Sequence, residues 1–190
     1  MKTLVIAIKI FLLLTILTGV IYPLLVTGIA KTVFPAKADG SLLIKDNKII
    51  GSKLIGQNFD SVIYFSGRPS ATNYNTLPSG GSNLGPSNEK LRELVDERRL
   101  HFIRFNQLDS LTEVPAEMLF ASASGLDPHI SLQSAILQVE RVANARGMNS
   151  TQKQQLMILV NNICEKPQFG FLGEERVNVL LLNSELDKLK

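Results

Sequence analysis

From Ile10 to Ala30 the chain reads IFLLLTILTGVIYPLLVTGIA, about 21 residues without a charge. At about 1.5 Å of rise per residue, such a run crosses a hydrocarbon layer of about 30 Å as a helix. The pattern therefore predicts a short tail over 1–9, a transmembrane helix over 10–30, a Pro/Gly/Ala linker over 31–40 and a single domain over 41–190. Thr15, Thr18 and Thr27 can return their hydroxyls to the helix's own carbonyls, and Pro23 removes one backbone donor and predicts a kink. Tyr22 lies away from both ends, which turns it toward a protein partner rather than the headgroups. Three readings of this segment compete: an uncleaved signal anchor, a signal peptide cleaved at Ala36-Lys37-Ala38, and a buried core helix. The run exceeds the roughly 7–15 apolar residues of a signal peptide, which favours the anchor. Lys2 and Lys9 in front nearly balance Lys31 and Lys37 behind, so charge bias sets no orientation. The short tail and export-signal layout favour a body outside the cytoplasm.

Beyond the linker the periodicity changes. Leu42-Leu43-Ile44 and Ile49-Ile50 flank Asp46-Asn47, the pattern of a β-hairpin. Lys53–Gln57 and Ser61–Phe65 read as further extended segments. Residues 66–88, SGRPSATNYNTLPSGGSNLGPSN, form a long polar loop, which suits an ordered surface loop with a specific partner. Ser87 is then the expected cap of a helix striped by Leu91, Leu94, Val95 and Arg98. Pro115 opens a short helix through Phe120, and a second small-residue loop runs from Ala121 to His129. Ser131 starts a helix with Leu132, Ala135, Ile136, Val139, Val142 and Ala143 on its apolar face and Gly147 as its stop. Ser150 starts another, ended by Pro167, and Val177–Leu182 is a late buried strand or helix start. A β-rich front followed by helices and a closing strand predicts an α+β fold.

Composition narrows the function. Of the 20 basic residues, Lys2 and Lys9 precede the apolar run, and the other 18 face 17 acidic ones. A balanced body lacks the clustered basic excess of a nucleic-acid binder. A lone cysteine, Cys164, allows no intrachain disulfide and no cysteine-based zinc site. His101 and His129 have no H-x-x-x-H pairing, so no metal site is expected. Asp127, His129 and a serine could make a triad in principle, but there is no G-x-S-x-G elbow. Ser87 and Lys90 match the S-x-x-K of penicillin-binding proteins, as do Ser150 and Lys153. That match defines the alternative reading, an anchored extracytoplasmic serine hydrolase using Ser87 and Lys90, set against plain helix caps. Ser79-Gly80-Gly81-Ser82-Asn83 can form either an anion nest or a tight turn. Arg68-Pro69 offers a guanidinium fork in a loop, and Asp127-Pro128-His129 a turn start. From these residues alone no active site emerges.

Several stretches together resemble the C subunit of the Kdp potassium-transporting P-type ATPase of bacteria. They include Tyr22-Pro23-Leu24, Leu54-Ile55-Gly56-Gln57, Gly67-Arg68-Pro69-Ser70-Ala71-Thr72, and Ser79-Gly80-Gly81-Ser82-Asn83-Leu84-Gly85-Pro86. Further along they include Ser124-Gly125-Leu126-Asp127-Pro128-His129-Ile130-Ser131 and Arg176-Val177-Asn178-Val179-Leu180-Leu181-Leu182-Asn183. The resemblance spans almost the whole chain in the family's order. It implies one span in the bacterial cytoplasmic (inner) membrane, surrounded by lipid, and a non-catalytic accessory role. The implied partners are a channel-like potassium-binding subunit, a P-type ATPase subunit and a small one-span subunit. It further implies a catalytic chaperone that supports ATP binding by the ATPase subunit, with no tightly bound cofactor of its own. In the family, Ser79–Asn83 is likened to the ABC-transporter signature as a nucleotide contact, although here no Leu directly precedes Ser79 and no Gln follows the glycines. A body outside the cytoplasm could touch ATP only through coupling across the spans. The expected subunit-interface residues are Tyr22, Pro23, Arg68, Pro69, Asn83, Asp127, Pro128 and His129.

Overall fold

A computed structural model describes residues 1–189. The chain divides into two compact units, Met1–Ser52 and Lys53 onward. The division falls after Ser52, whereas the sequence pattern placed it at residue 40.

The first unit opens with one unbroken helix from Lys2 to Val33. It consists of α1 (Lys2–Ile16), a π-helical stretch (Leu17–Ile21) and α2 (Tyr22–Val33). The residues expected as a tail are therefore helical. Leu4 to Ile8 are as apolar as the stretch after Lys9, and Lys9 is a good helix former that does not end the run. Pro23 has no N–H to offer the Gly19 carbonyl. The helix widens into π turns over Leu17–Ile21 instead of breaking there. Thr18 Oγ1 donates to the Leu14 carbonyl at 2.7 Å, as anticipated. No part of this helix is buried by its own chain, which overturns the core-helix reading and leaves a candidate membrane span. The expected linker holds a single turn, α3 (Pro35–Ala38). β1 (Leu42–Lys45) and β2 (Lys48–Ser52) then pair antiparallel, with an irregularity between Leu43 and Ile44. Asp46 and Asn47 both take left-handed φ, 51° and 60°, which is the primed turn that matches the twist of a two-residue hairpin.

The second unit is mainly helical. It contains α4 (Glu89–Phe105), a 3-10 turn (Ala116–Met118), β3 (His129–Ile130), α5 (Leu132–Ala145), α6 (Ser150–Ile163), β4 (Val177–Asn178) and α7 (Val179–Leu186). Ile130 pairs with Val177 and His129 with Asn178 in the short antiparallel β3–β4 ladder. The core gathers Phe65, Ile130, Val139, Val142, Leu156, Val160, Val177, Leu182 and Leu186. α5 is the most amphipathic helix and packs on α6, with Ala135, Val139, Val142 and Ala143 buried as expected and Ile136, expected with them, left exposed. Ser131 Oγ accepts from the Ser134 N–H at its start. At its end Gly147 takes φ 64°, and Met148 donates back to the Ala143 carbonyl, as in a Schellman motif. Two other caps move by one residue. Asn88, not Ser87, accepts from Lys90 N–H to cap α4. Asn149, not Ser150, forms a reciprocal capping box with Gln152.

Lys53–Gln57 and Ser61–Phe65 do not form strands. The second of these finds its hydrogen bonds in side chains instead. The Asn183 amide receives Phe65 N–H at 2.8 Å and returns a bond to Phe65 O at 2.9 Å. The Gln138 amide pairs with Ser66 in the same two-way manner. Arg141 donates through Nη1 to the Val62 and Tyr64 carbonyls, and Arg146 Nε donates to the Ile63 carbonyl. Tyr64 N–H donates to the Ser61 carbonyl at 3.1 Å and closes a turn, and two amides and two guanidiniums satisfy the backbone groups of the turn and of Phe65 and Ser66 after it. Burial lowers the Arg141 guanidinium to about 10.

Arg141 also donates to Asn106 Oδ1 and Gln138 Oε1, and replacing it by Met should cost about 3 kcal/mol, because these two oxygens and the Val62 and Tyr64 carbonyls lose a charged donor while staying in place. Urea unfolding of the detergent-solubilised full chain measures this. Amide exchange at Phe65 and Ser66 should accelerate in parallel.

Candidate functional site

The two loops singled out by the sequence fold against each other. Ser70 Oγ donates to the Gly125 carbonyl at 2.7 Å, and Ser122 N–H donates to the Pro69 carbonyl. Ser79 Oγ and the Gly80 N–H both donate to the Ser124 carbonyl, at 2.8 and 3.0 Å. Gly81 lies close over Ala123, where a Cβ would come 3.3 Å from its carbonyl oxygen. Gly125, at φ 71°, leaves no room for a Cβ beside Thr72, Gly80 and Ser70. The Ser79–Asn83 stretch forms no tight turn, and neither Gly80 nor Gly81 takes a left-handed φ; the stretch is instead joined to the second loop, and two of its first donors are spent there. Ser82 and Asn83 face solvent, Asn83 at φ 54°.

Arg68 and Asp127, 59 positions apart, meet at 2.8 Å through Nη1 and Oδ2. The same carboxylate accepts from its own turn: His129 N–H donates to Oδ1 at 3.0 Å, and His129 Nδ1 approaches that oxygen at 3.4 Å. Pro128 is buried, and its carbonyl receives the N–H of Val179 at the start of α7. Gly56 N–H donates to Leu126 O, and a Cβ on Gly56 would lie 2.7 Å from the Asp127 carbonyl oxygen. Tyr74 hydroxyl donates to the Arg68 carbonyl at 2.6 Å. Partial burial alone would raise the Asp127 carboxyl. The His129 hydrogen bonds, then Arg68, overcome that and hold it at about 2. Burial, reinforced by the Asp127 charge, pushes the Tyr74 phenol up to about 12. Arg68 Nε is buried without a partner, the only such side-chain atom among the described residues.

Arg68 stands between two hollows. One, of about 560 Å³, is walled by Tyr74, Arg98, His101, Phe102 and Phe105. The other, of about 570 Å³, has Arg68, Asp127 and His129 on one side and residues 166–168 and 172–176 on the other. This second wall belongs to a hairpin that the sequence pattern did not reveal. The Glu165 and Arg176 backbones bridge at 2.8 and 3.1 Å, and Gln168 pairs with Leu172. The Glu165 carboxylate also bonds Arg176 Nε at 2.9 Å. The signals available were Pro167 and the glycines Gly170 and Gly173, which punctuate an otherwise apolar Phe-Gly-Phe-Leu run. Glu117 is a further missed member of the hollow. It accepts from Ser134 Oγ at 2.5 Å and from Ser131 N–H, and although burial opposes it, these bonds keep its carboxyl low.

Ser87 and Lys90 are both exposed, outside the two hollows. With Asn88 as the cap of α4, this geometry gives the hydrolase alternative no support. Tyr22 and Pro23 lie on the exposed helix of the first unit.

The architecture is that of an α+β protein carrying one N-terminal candidate membrane span, with its notable polar residues tied into braces between loops. Residues 4–188 match the family model "K+-transporting ATPase, c chain". The chain is 50% identical over 186 residues to the potassium-transporting ATPase KdpC subunit of Dechloromonas aromatica (strain RCB), covering 96% of this chain and 95% of that protein. It is 50% identical over 187 residues to the KdpC subunit of Polaromonas naphthalenivorans (strain CJ2), covering 97% and 93%. With the KdpC subunit of Pectobacterium atrosepticum it shares 48% over 183 residues, covering 95% and 93%. The chain belongs to the KdpC family, the c chain of the K+-transporting ATPase. Membership in that complex and the N-terminal helix both fit the inner membrane.

Asp127 has its carboxyl lowered from 3.8 to about 2 in the folded chain. Its stabilising contribution is complete above about pH 4 and fades as pH falls toward 2, an effect of roughly 1–2 kcal/mol after discounting for solvent. Melting temperatures between pH 5 and pH 2 should therefore fall more steeply in the wild type than in Asp127→Asn.

Proposed function

We propose that the chain is a non-catalytic accessory subunit of an ATP-driven potassium uptake complex, held in the membrane by the Lys2–Val33 helix. In this reading the unit from Lys53 onward lies outside the cytoplasm. It caps the entrance of a channel-like potassium-binding subunit, beside a P-type ATPase subunit that carries the catalysis and a small one-span subunit. The observation that carries the reading is the near-full-length match to KdpC subunits of K+-transporting ATPases. The site geometry supports it as well. Arg68, Asp127 and His129 converge on one another, and Ser79 and Gly80 are engaged with Ser124, so these groups fix the shape of a docking surface. The outer faces of the 66–88 and 121–131 loops are that surface.

Support of ATP binding by the ATPase subunit is, on this view, a coupling free energy passed through the assembly, with no nucleotide contact at Ser79–Asn83. Couplings of this kind typically amount to about 5–150-fold in affinity.

Affinity purification of the tagged chain in mild detergent from K+-starved cells tests the reading. The larger membrane subunits should co-purify with K+-stimulated ATPase activity. A photoreactive ATP analogue added to that complex should label the ATPase subunit and leave Ser79–Asn83 unlabelled. A chain that emerges alone and inactive refutes the subunit role, and labelling of the Ser79–Asn83 stretch refutes indirect coupling.

A further inference from the structure

The hairpin between Glu165 and Arg176 carries two large aromatic side chains at its tip, and neither is covered by the chain. Phe169 is 85% exposed and Phe171 76%, with Leu172 half exposed beside them. Isolated exposed apolar residues are ordinary, but three clustered on one hairpin form a patch of the kind that marks an interaction site. The tip is also a built structure. Gly170 N–H donates to the Pro167 carbonyl at 3.0 Å, Leu172 and Gln168 exchange backbone bonds at 2.9 Å, and the Glu165–Arg176 ion pair closes the base. Phe169 and Gly170 take left-handed φ, 54° and 82°, and Phe171 N–H donates to the Gln168 carbonyl at 3.3 Å, so the tip is a tight turn of the same kind as at Asp46-Asn47 and holds the two rings in place.

Charge around the tip narrows what it meets. The adjoining hollow is lined by four carboxylates, Glu117, Asp127, Glu174 and Glu175, against three cations, Arg68, Lys166 and Arg176. Arg68 is already paired with Asp127, and Arg176 with Glu165. The exposed pair Glu174-Glu175 follows the apolar tip across Gly173. An anionic lipid surface is repelled by that arrangement, whereas an apolar protein pocket rimmed by Lys or Arg is complementary to it.

We propose that this hairpin is a docking wedge, with Phe169 and Phe171 seated in an apolar, basic-rimmed pocket on another subunit of the K+-transporting ATPase complex. The inference rests on the subunit reading and adds an aromatic anchor to the polar loop surface. Buried aromatic anchors of this kind carry a large share of interface affinity.

The test uses the intact complex in its native membranes. A photo-crosslinking phenylalanine analogue at position 171 is irradiated, and its adduct identified by mass spectrometry. The expected adduct is with another subunit of the complex, and adducts with lipid alone, with a second copy of this chain, or with nothing overturn the wedge. The double variant F169S/F171S should co-purify roughly tenfold less of the other subunits. Its own melting temperature should stay close to wild type, because neither ring is buried. E174K/E175K should also lower the yield, and an unchanged yield in either variant overturns the proposal. If wild-type chain brings down no other subunit, the subunit reading itself fails. If wild type and F169S/F171S assemble equally well, only the wedge does.

Discussion

The Arg141 guanidinium is held inside the second unit by neutral oxygens: the carbonyls of Val62 and Tyr64, the side-chain oxygen of Asn106 and that of Gln138. It also lies over the Phe105 ring, 4.4 Å from its centroid. A buried cation is costly unless its donors are met, and here one group meets acceptors from three places in the chain. It joins α5 to the end of α4 and to the turn before Arg68. Gln138 lies one turn earlier on the same face of α5, and Asn183 of α7 holds the residue between them in the segment. This polar core fixes where the chain stands as it enters the long loop, and so fixes where Arg68 begins.

From that fixed start the two loops close on each other. Arg68 reaches Asp127, Ser70 reaches Gly125, and Ser79 reaches Ser124, so the contacts tie both loops together at several points. Two glycines make the approach possible. At Gly56 and Gly125 the neighbouring atoms stand where a side chain would be. The loops gain order without regular structure because their backbone groups are satisfied by hydroxyls, carbonyls and a carboxylate. Such a surface is rigid enough to be recognised, and its charges are largely consumed in holding it together.

The N-terminal candidate span obeys a different constraint. Lys2–Val33 continues as a helix through Pro23 by widening to π turns, so its backbone groups are met within the segment as a hydrocarbon layer would require. Its side chains find no cover within the chain. The aromatic hairpin tip is the corresponding unburied apolar element of the second unit, and both features suit a protein that completes its surface by assembly.

Local pattern alone determined the long apolar helix, the Asp46-Asn47 hairpin, the amphipathic face of α5 and its ends at Ser131 and Gly147. Each of these depends on interactions within a few residues, by hydrophobic period, turn φ or capping. The near-full-length order of short motifs likewise carried the family. Arg68, Asp127 and His129 were recognisable as unusual residues, but their meeting was not, because 59 positions separate the arginine from its carboxylate. The segment Ser61–Phe65 has the composition of a strand. Only the tertiary structure decided that it would turn at Ser61–Tyr64 and be held by amides and guanidiniums from α5 and α7. The caps at Asn88 and Asn149 in place of Ser87 and Ser150 were decided at the level of backbone angles, where neighbouring polar residues compete almost equally. The hairpin with its exposed phenylalanines stayed hidden for a simpler reason. An apolar run in sequence reads as core, and only the packed molecule shows which apolar residues were left outside.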